Sequence, residues 1–216
     1  MRKFLRIAVA VLLVTAAAVV YEWWRPSPAV AAPPPGLAAG KFLVASRDLG
    51  DPNFAETVVL LAQYDKKGAM GLVINRPTRL PMSRVLEGMP TAGKRGDPVF
   101  LGGPVTVTGV LALLRSRSKP DRAQPVFQDV YLLNEAASLE KAIGENIPAS
   151  KFRVYLGYAG WGAGQLEREI DLGAWHIFDA DGDLVFDPDP RSVWDRLISR
   201  TEDVLVRLLA GTGPTA

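Results

Sequence analysis

Cysteine is absent from the 216 residues, and histidine occurs once, at His176. The first absence excludes disulfides, thiolate nucleophiles and Cys-ligated metals, and the second excludes multi-histidine centres. Net charge is nearly missing as well. The whole chain carries +2, but residues 1–40 supply Arg2, Lys3, Arg6 and Arg25 against Glu22 alone. Of the chain's 25 basic and 23 acidic residues, 21 and 22 therefore lie beyond residue 40. A near-neutral domain lacks the electrostatic footprint that nucleic acid selects. No internal repeat, G-x-S-x-G elbow or P-loop lysine occurs either, which removes the common signatures of solenoids, serine hydrolases and P-loop enzymes. What remains is good core material: 48% apolar and 22% charged residues, in a length suited to one domain plus an extension.

The extension reads as residues 1–24, an N-terminal hydrophobic anchor or signal segment. Arg2, Lys3 and Arg6 precede a charge-free run from Ile7 to Tyr21, closed by Glu22, Trp23, Trp24 and Arg25. Interfacial tryptophans and a flanking arginine fit an uncleaved anchor better than a cleaved signal. The positive-inside rule then predicts a single-pass inner-membrane protein with its domain outside the cytoplasm, or an exported one, with the membrane as a partner. A mis-assigned start codon would instead make the domain cytoplasmic. Residues 25–39, with five prolines after Arg25, read as a semi-rigid linker, and residues 40–216 as the domain.

Within the domain, Lys41 to Ser46 and Thr57 to Ala62 read as strands, the second apolar on both faces. A loop from Asp65 to Gly68 turns into a return strand ending at Asn75-Arg76-Pro77. A short helix covers Met82 to Glu87. Pro98 to Leu101, Val107 to Leu114, Val126 to Leu133 and Phe152 to Leu156 read as further strands. Ala136, Leu139 and Ile143 keep helical spacing after Asn134, an expected N-cap. Trp175 to Phe178 and Leu184 to Phe186 suggest a hairpin about Asp179 to Gly182. Asp189-Pro190 opens a closing helix with Val193, Trp194, Leu197 and Ile198 on one face. Strands and helices do not alternate, so the class is α+β.

The most distinctive stretch runs from Gly157 to Ile170, GYAGWGAGQLEREI. It predicts a strand, a glycine loop and a helix, and such loops let backbone N–H groups converge on an anion or carbonyl. It is not the dinucleotide fingerprint, because Gln165 stands where that pattern needs glycine. Glycines equally serve backbone geometry, and that role carries more weight here. Asn75 and Arg76 end a buried strand and could face a cleft, where arginine binds carboxylate or phosphate bidentately. The candidate ligand-binding set is therefore Asn75, Arg76, Gly160, Gly162, Gly164 and Gln165. No catalytic residue, metal ligand or cofactor is assigned. Asp48, Asp51, Glu167, Glu169 and Asp171 could gather around a divalent cation, although scattered acids more often form a solvated face. The basic loop with Arg115, Arg117, Lys119 and Arg122 lacks interleaved aromatics and reads as solvated.

Five motifs in order carry a resemblance: Gly40 to Ala45 (GKFLVA), Asp51 to Phe54 (DPNF), Gly68 to Pro77 (GAMGLVINRP), Gly102 to Val105 (GGPV), and Gly157 to Glu167 (GYAGWGAGQLE). Together they resemble the YqgE/AlgH family of bacterial proteins, over roughly residues 40–200. The resemblance implies an α+β fold with a bifurcated mixed sheet curled into a pseudo-barrel and a few packed helices. It implies no settled activity. One member's name reflects a suggested regulatory role in transcription. The leading expectation is a non-enzymatic binding or regulatory domain, with an unknown small ligand or protein as partner. The alternatives are a transcription-linked regulator contacting nucleic acid, a disfavoured but open partner class, and an enzyme using carboxylates and a divalent metal.

Overall fold

The computed structural model describes residues 36–106 and 110–211, with side chains to residue 202. Two sheets share one core. The first has five strands in the order β10-β3-β2-β1-β11: β1 (Lys41–Ala45), β2 (Val58–Asp65), β3 (Gly68–Val73), β10 (Ala159–Gly162) and β11 (Trp175–Asp179). All its pairings are antiparallel, with Lys41 opposite Asp179 and Phe42 opposite Leu60. The second has six strands in the order β4-β5-β9-β6-β8-β7: β4 (Pro77–Pro81), β5 (Pro98–Leu101), β6 (Leu111–Arg115), β7 (Gln124–Phe127), β8 (Val130–Leu133) and β9 (Phe152–Leu156). Its β5–β9 pair is parallel, so the fold is mixed, and among the described residues no barrel closes. The α+β class and the divided sheet agree with expectation.

Period-two burial explains why both faces of the second sheet are covered. Phe100, Leu113, Leu132 and Tyr155 face the first sheet, in a core shared with Phe42, Leu60 and Leu72. Val99, Ala112, Leu133 and Phe152 face the other way, onto helices α1 (Met82–Val85) and α2 (Ala136–Gly144). The longest helix among the described residues, α5 (Val193–Gly211), lays Val193, Trp194, Leu197 and Ile198 into the shared core. The Trp194 indole donates to the Ala45 carbonyl at 2.8 Å, fixing α5 across β1. Leu37, inside the segment read as linker, is also buried in this core.

The sheets diverge at a glycine junction. Gly102 joins both, donating to Leu156 O at 2.7 Å and accepting from Val73 N at 2.9 Å. Gly157 has φ +69, and a Cβ there would lie 2.6 Å from Gly103 O. Only glycine lets the backbones meet this closely as the chain leaves β9 for β10.

Several local expectations are corrected. Val126 to Leu133 is not one strand but a β7–β8 hairpin turning at Gln128 (φ +43) and Asp129, a left-handed position taken without glycine or asparagine. Residues 182–185 form a short helix, α4 (Gly182–Val185), rather than a returning strand. The Asp181 side chain accepts from Asp183 N at 2.8 Å and starts that turn. Glu135, not Asn134, occupies the N-cap of α2. The expected glycine loop contains β10, an edge strand paired with β3, before helix α3 (Gln165–Asp171).

The membrane expectation is also corrected. Among the described residues no helix is long and apolar enough to cross a membrane. Helix α5 has 19 residues, but Asp195, Arg196, Arg200, Glu202, Asp203 and Arg207 lie along it. Residues 1–24, on which the anchor or signal rested, lie outside the described residues. The transmembrane and signal assignments, the membrane as partner, and the inner-membrane or exported location are therefore set aside.

Candidate functional site

Of the six residues singled out from the sequence, Asn75 and Arg76 hold one loop, residues 51–57, while Gly160, Gly162, Gly164 and Gln165 belong to β10 and its turn into α3. Asn75 is buried; its Oδ1 accepts from Val58 N at 2.9 Å and its Nδ2 donates to Glu56 O at 2.9 Å. Arg76 donates to Asn53 O at 2.6 Å and Ala55 O at 2.9 Å. Burial pulls its pKa down, against the opposing pull of Asp51 and Glu56. The fork expected to face a ligand clamps backbone carbonyls instead.

Phe54, carried by this loop, stacks on Trp161 at 5.9 Å and meets Trp175 edge-on at 5.5 Å. The two tryptophans contact each other at 6.0 Å. Glu169, one turn into α3, gathers them: its Oε2 accepts from Trp161 Nε1 at 2.8 Å and Trp175 Nε1 at 2.9 Å. Its Oε1 accepts from Gln165 Nε2 at 2.9 Å. Gln165 Oε1 in turn accepts from Gly162 N at 3.2 Å, so its amide closes the β10–α3 turn. Gly164 sits at the helix start with φ +71. Gly160 pairs with Met70 and floors an open groove of ≈ 640 Å³ with Tyr158, Val105 and Leu111. The six thus form two groups, at the 51–57 loop and at the β10–α3 turn, linked by Phe54 on Trp161, with the polar side chains bonded to protein.

Two more of the scattered acids, besides Glu169, are bonded to protein. Glu167 accepts from Tyr64 O–H at 2.7 Å, and Asp51 accepts from Asn53 N at 2.8 Å. Burial, followed by the Glu167 contact, pushes the Tyr64 phenol up to about 12. Among the described residues no three His, Asp or Glu side chains are placed to hold a metal ion. In the basic loop, Arg115 pairs with Asp129 at 2.9 Å and with Asp183, while Arg122 pairs with Glu135 at 3.2 Å. That neutralises half of the four-cation cluster.

A pocket missed in the sequence lies where the 186–191 segment crosses β5 and β9, and its lining begins at Pro77, directly after Arg76. Its volume is ≈ 540 Å³, within the range of small-molecule sites. Phe100, Phe152 and Phe186 line it with four prolines, 77, 98, 188 and 190. Its charged lining comprises Arg153, Arg191, Asp97 and Asp189. Arg153 is 6% exposed, and it donates to Val185 O at 2.8 Å and to Asp187 O. Its guanidinium lies 4.6 Å from the Phe100 ring centroid and 5.9 Å from that of Phe186. Burial lowers its pKa, yet arginine stays cationic.

Among the described residues no carboxylate forms an ion pair with Arg153. The Asp187 carboxylate turns to Arg196 at 2.6 Å, and Asp97 pairs with Arg95 at 2.6 Å. Burial works against the Asp187 charge, but Arg196, the Asp189 N–H and the nearby Arg153 charge outweigh it and hold its carboxyl below the usual range. The sequence signal was present: one arginine inside the strand FRVYL, apolar on both sides. What it faced depended on a segment more than thirty residues away.

A divided mixed sheet with a few packed helices defines a domain of the α+β class. The chain belongs to the AlgH-like family, whose model (DUF179) matches residues 42–204. A UPF0301 protein of Streptomyces avermitilis is 37% identical over 177 residues, covering 77% of this chain and 88% of the relative. One of Chlorobaculum tepidum is 34% identical over 163 residues, covering 75% and 86%. The solution structure of the AlgH protein from Pseudomonas aeruginosa superposes with a TM-score of 0.63 at 30% identity, covering 85% of this chain and 98% of that one. Protein DIP2367 from Corynebacterium diphtheriae, at 22% identity, shares the fold with a TM-score of 0.65 over 76% and 87% of the two chains.

Proposed function

We propose that the domain works by binding rather than by catalysis, as a recognition or regulatory module whose ligand occupies the Arg153 pocket. The observation that carries this reading is a buried guanidinium bordering a ligand-sized cavity without a carboxylate partner. Arginine donates through five N–H groups, and two are used here on carbonyls. A buried cation in this state favours an incoming acceptor. Binding around Asn75, Arg76 and Gln165 has less support, since their donors and acceptors serve the 51–57 loop and the β10–α3 turn.

Ser150 tests the reading because it is exposed at the pocket's edge. Ser150→Trp should leave the melting temperature unchanged and remove the stabilisation given by ligands from a chemically broad screen. A ligand at about 100 times its dissociation constant adds roughly 2.7 kcal/mol to the parent chain. Ligands that stabilise parent and Ser150→Trp equally would place the site elsewhere.

A further inference from the structure

We infer that the ligand of this pocket is a small organic monocarboxylate with a flat apolar body. The inference rests on the proposed binding role of the same pocket. Four prolines, backed by three phenylalanines that are otherwise buried in the core, offer rigid apolar walls, which suit a planar or short hydrocarbon body. The one buried charge among them is Arg153, a planar fork matched in geometry to a carboxylate. Arg191, exposed at the rim and bonded to Pro77 O at 3.2 Å, adds a second cation within reach of an entering anion.

The acids of the pocket limit the charge it accepts. Asp97 is neutralised by Arg95, but Asp189 is exposed on the lining without an ion-pair partner among the described residues. A phosphate monoester would bring about two negative charges and three acceptor oxygens against Asp189 and apolar walls. A single carboxylate needs only the one fork. The floor selects the charge, and the walls select the body.

The matched probes are 4-phenylbutyrate and its neutral amide, titrated into the full chain and followed by backbone amide NMR. The acid should bind roughly millimolar, as expected of a fragment, shift residues around Phe100, Arg153 and Phe186, and outbind the amide by at least about tenfold. Arg153→Met removes the bonds to the Val185 and Asp187 carbonyls as well, so the rim carries the mutational test. Arg191→Gln should weaken the acid and Asp189→Asn should tighten it, with neither altering amide binding. Acid and amide binding equally in the pocket would overturn the carboxylate assignment while leaving the pocket. Neither probe shifting pocket residues, or both shifting residues elsewhere, would overturn the pocket and the ligand class together.

Discussion

Removing the Glu169 carboxylate gives the most direct measure of what holds the glycine-rich unit. In Glu169→Ala, two indole N–H groups lose a charged acceptor, and Gln165 loses the anchor that aligns it with Gly162 N. Hydrogen bonds to charged groups contribute about 1.5–3 kcal/mol each. Trp161 and Trp175 are 5% and 4% exposed, so their N–H groups are poorly placed to find water. Glu169 itself is half-buried, and water entering its space recovers part of the loss. The net cost should be about 2–4 kcal/mol. For a domain of this size that lowers the melting temperature by roughly 5–15 °C. Glu169→Gln keeps one oxygen for the indoles but turns an amide donor toward Gln165, and should cost about half as much. Thermal and urea unfolding of the three proteins, with tryptophan emission as the probe, would measure this. A loss below about 1 kcal/mol in Glu169→Ala would refute the idea that the carboxylate organises the cluster.

Three further outcomes are expected. Gly164→Ala, at φ +71, should cost about 1 kcal/mol. Gly162→Ala, whose nearest non-neighbouring atom is Gln165 Oε1 at 4.0 Å, should be nearly neutral in the same melt. Trp194→Ala should lose about 3–5 kcal/mol by urea unfolding, since it empties a buried site and orphans Ala45 O; a loss under about 1 kcal/mol would mean that α5 does not seal β1. Tyr64 titrates higher folded than unfolded, so its stabilisation is complete below about pH 10 and fades as pH rises toward about 12. Tyr64→Phe should be less stable near neutrality yet flatter across that window, and an unchanged alkaline limb would contradict the assignment.

Local chemistry made much of the fold legible. The β2–β3 hairpin follows from Asp65 to Gly68 between apolar runs, and the α5 stripe from its helical spacing. Legibility failed where tertiary contacts outweighed propensity. Gln128 takes a left-handed turn that nothing in its own chemistry announces, and Val185, a good strand former, is wound into a helical turn begun by Asp181. The site was harder still. Asn75, Arg76 and Gln165 looked available because sequence shows which groups can bond, not which are already bonded. Arg153 was not singled out at all, because its pocket is assembled from β5, β9 and the 186–191 segment.

The order of the first sheet bears on how the chain is made. Both of its outer strands come late: β10 ends at Gly162 and β11 at Asp179, whereas β1 to β3 are complete by Val73. Lys41 meets Asp179 across a separation of 138 residues. At translation rates of about 5–20 residues per second, the β1–β2–β3 ribbon waits roughly 5–20 s with both edges bare. Those edges carry Phe42, Leu43, Leu72 and Val73, the kind of surface another nascent chain can pair with. The growing polypeptide therefore passes through a window of self-association before its own C-terminal third arrives to cap the ribbon.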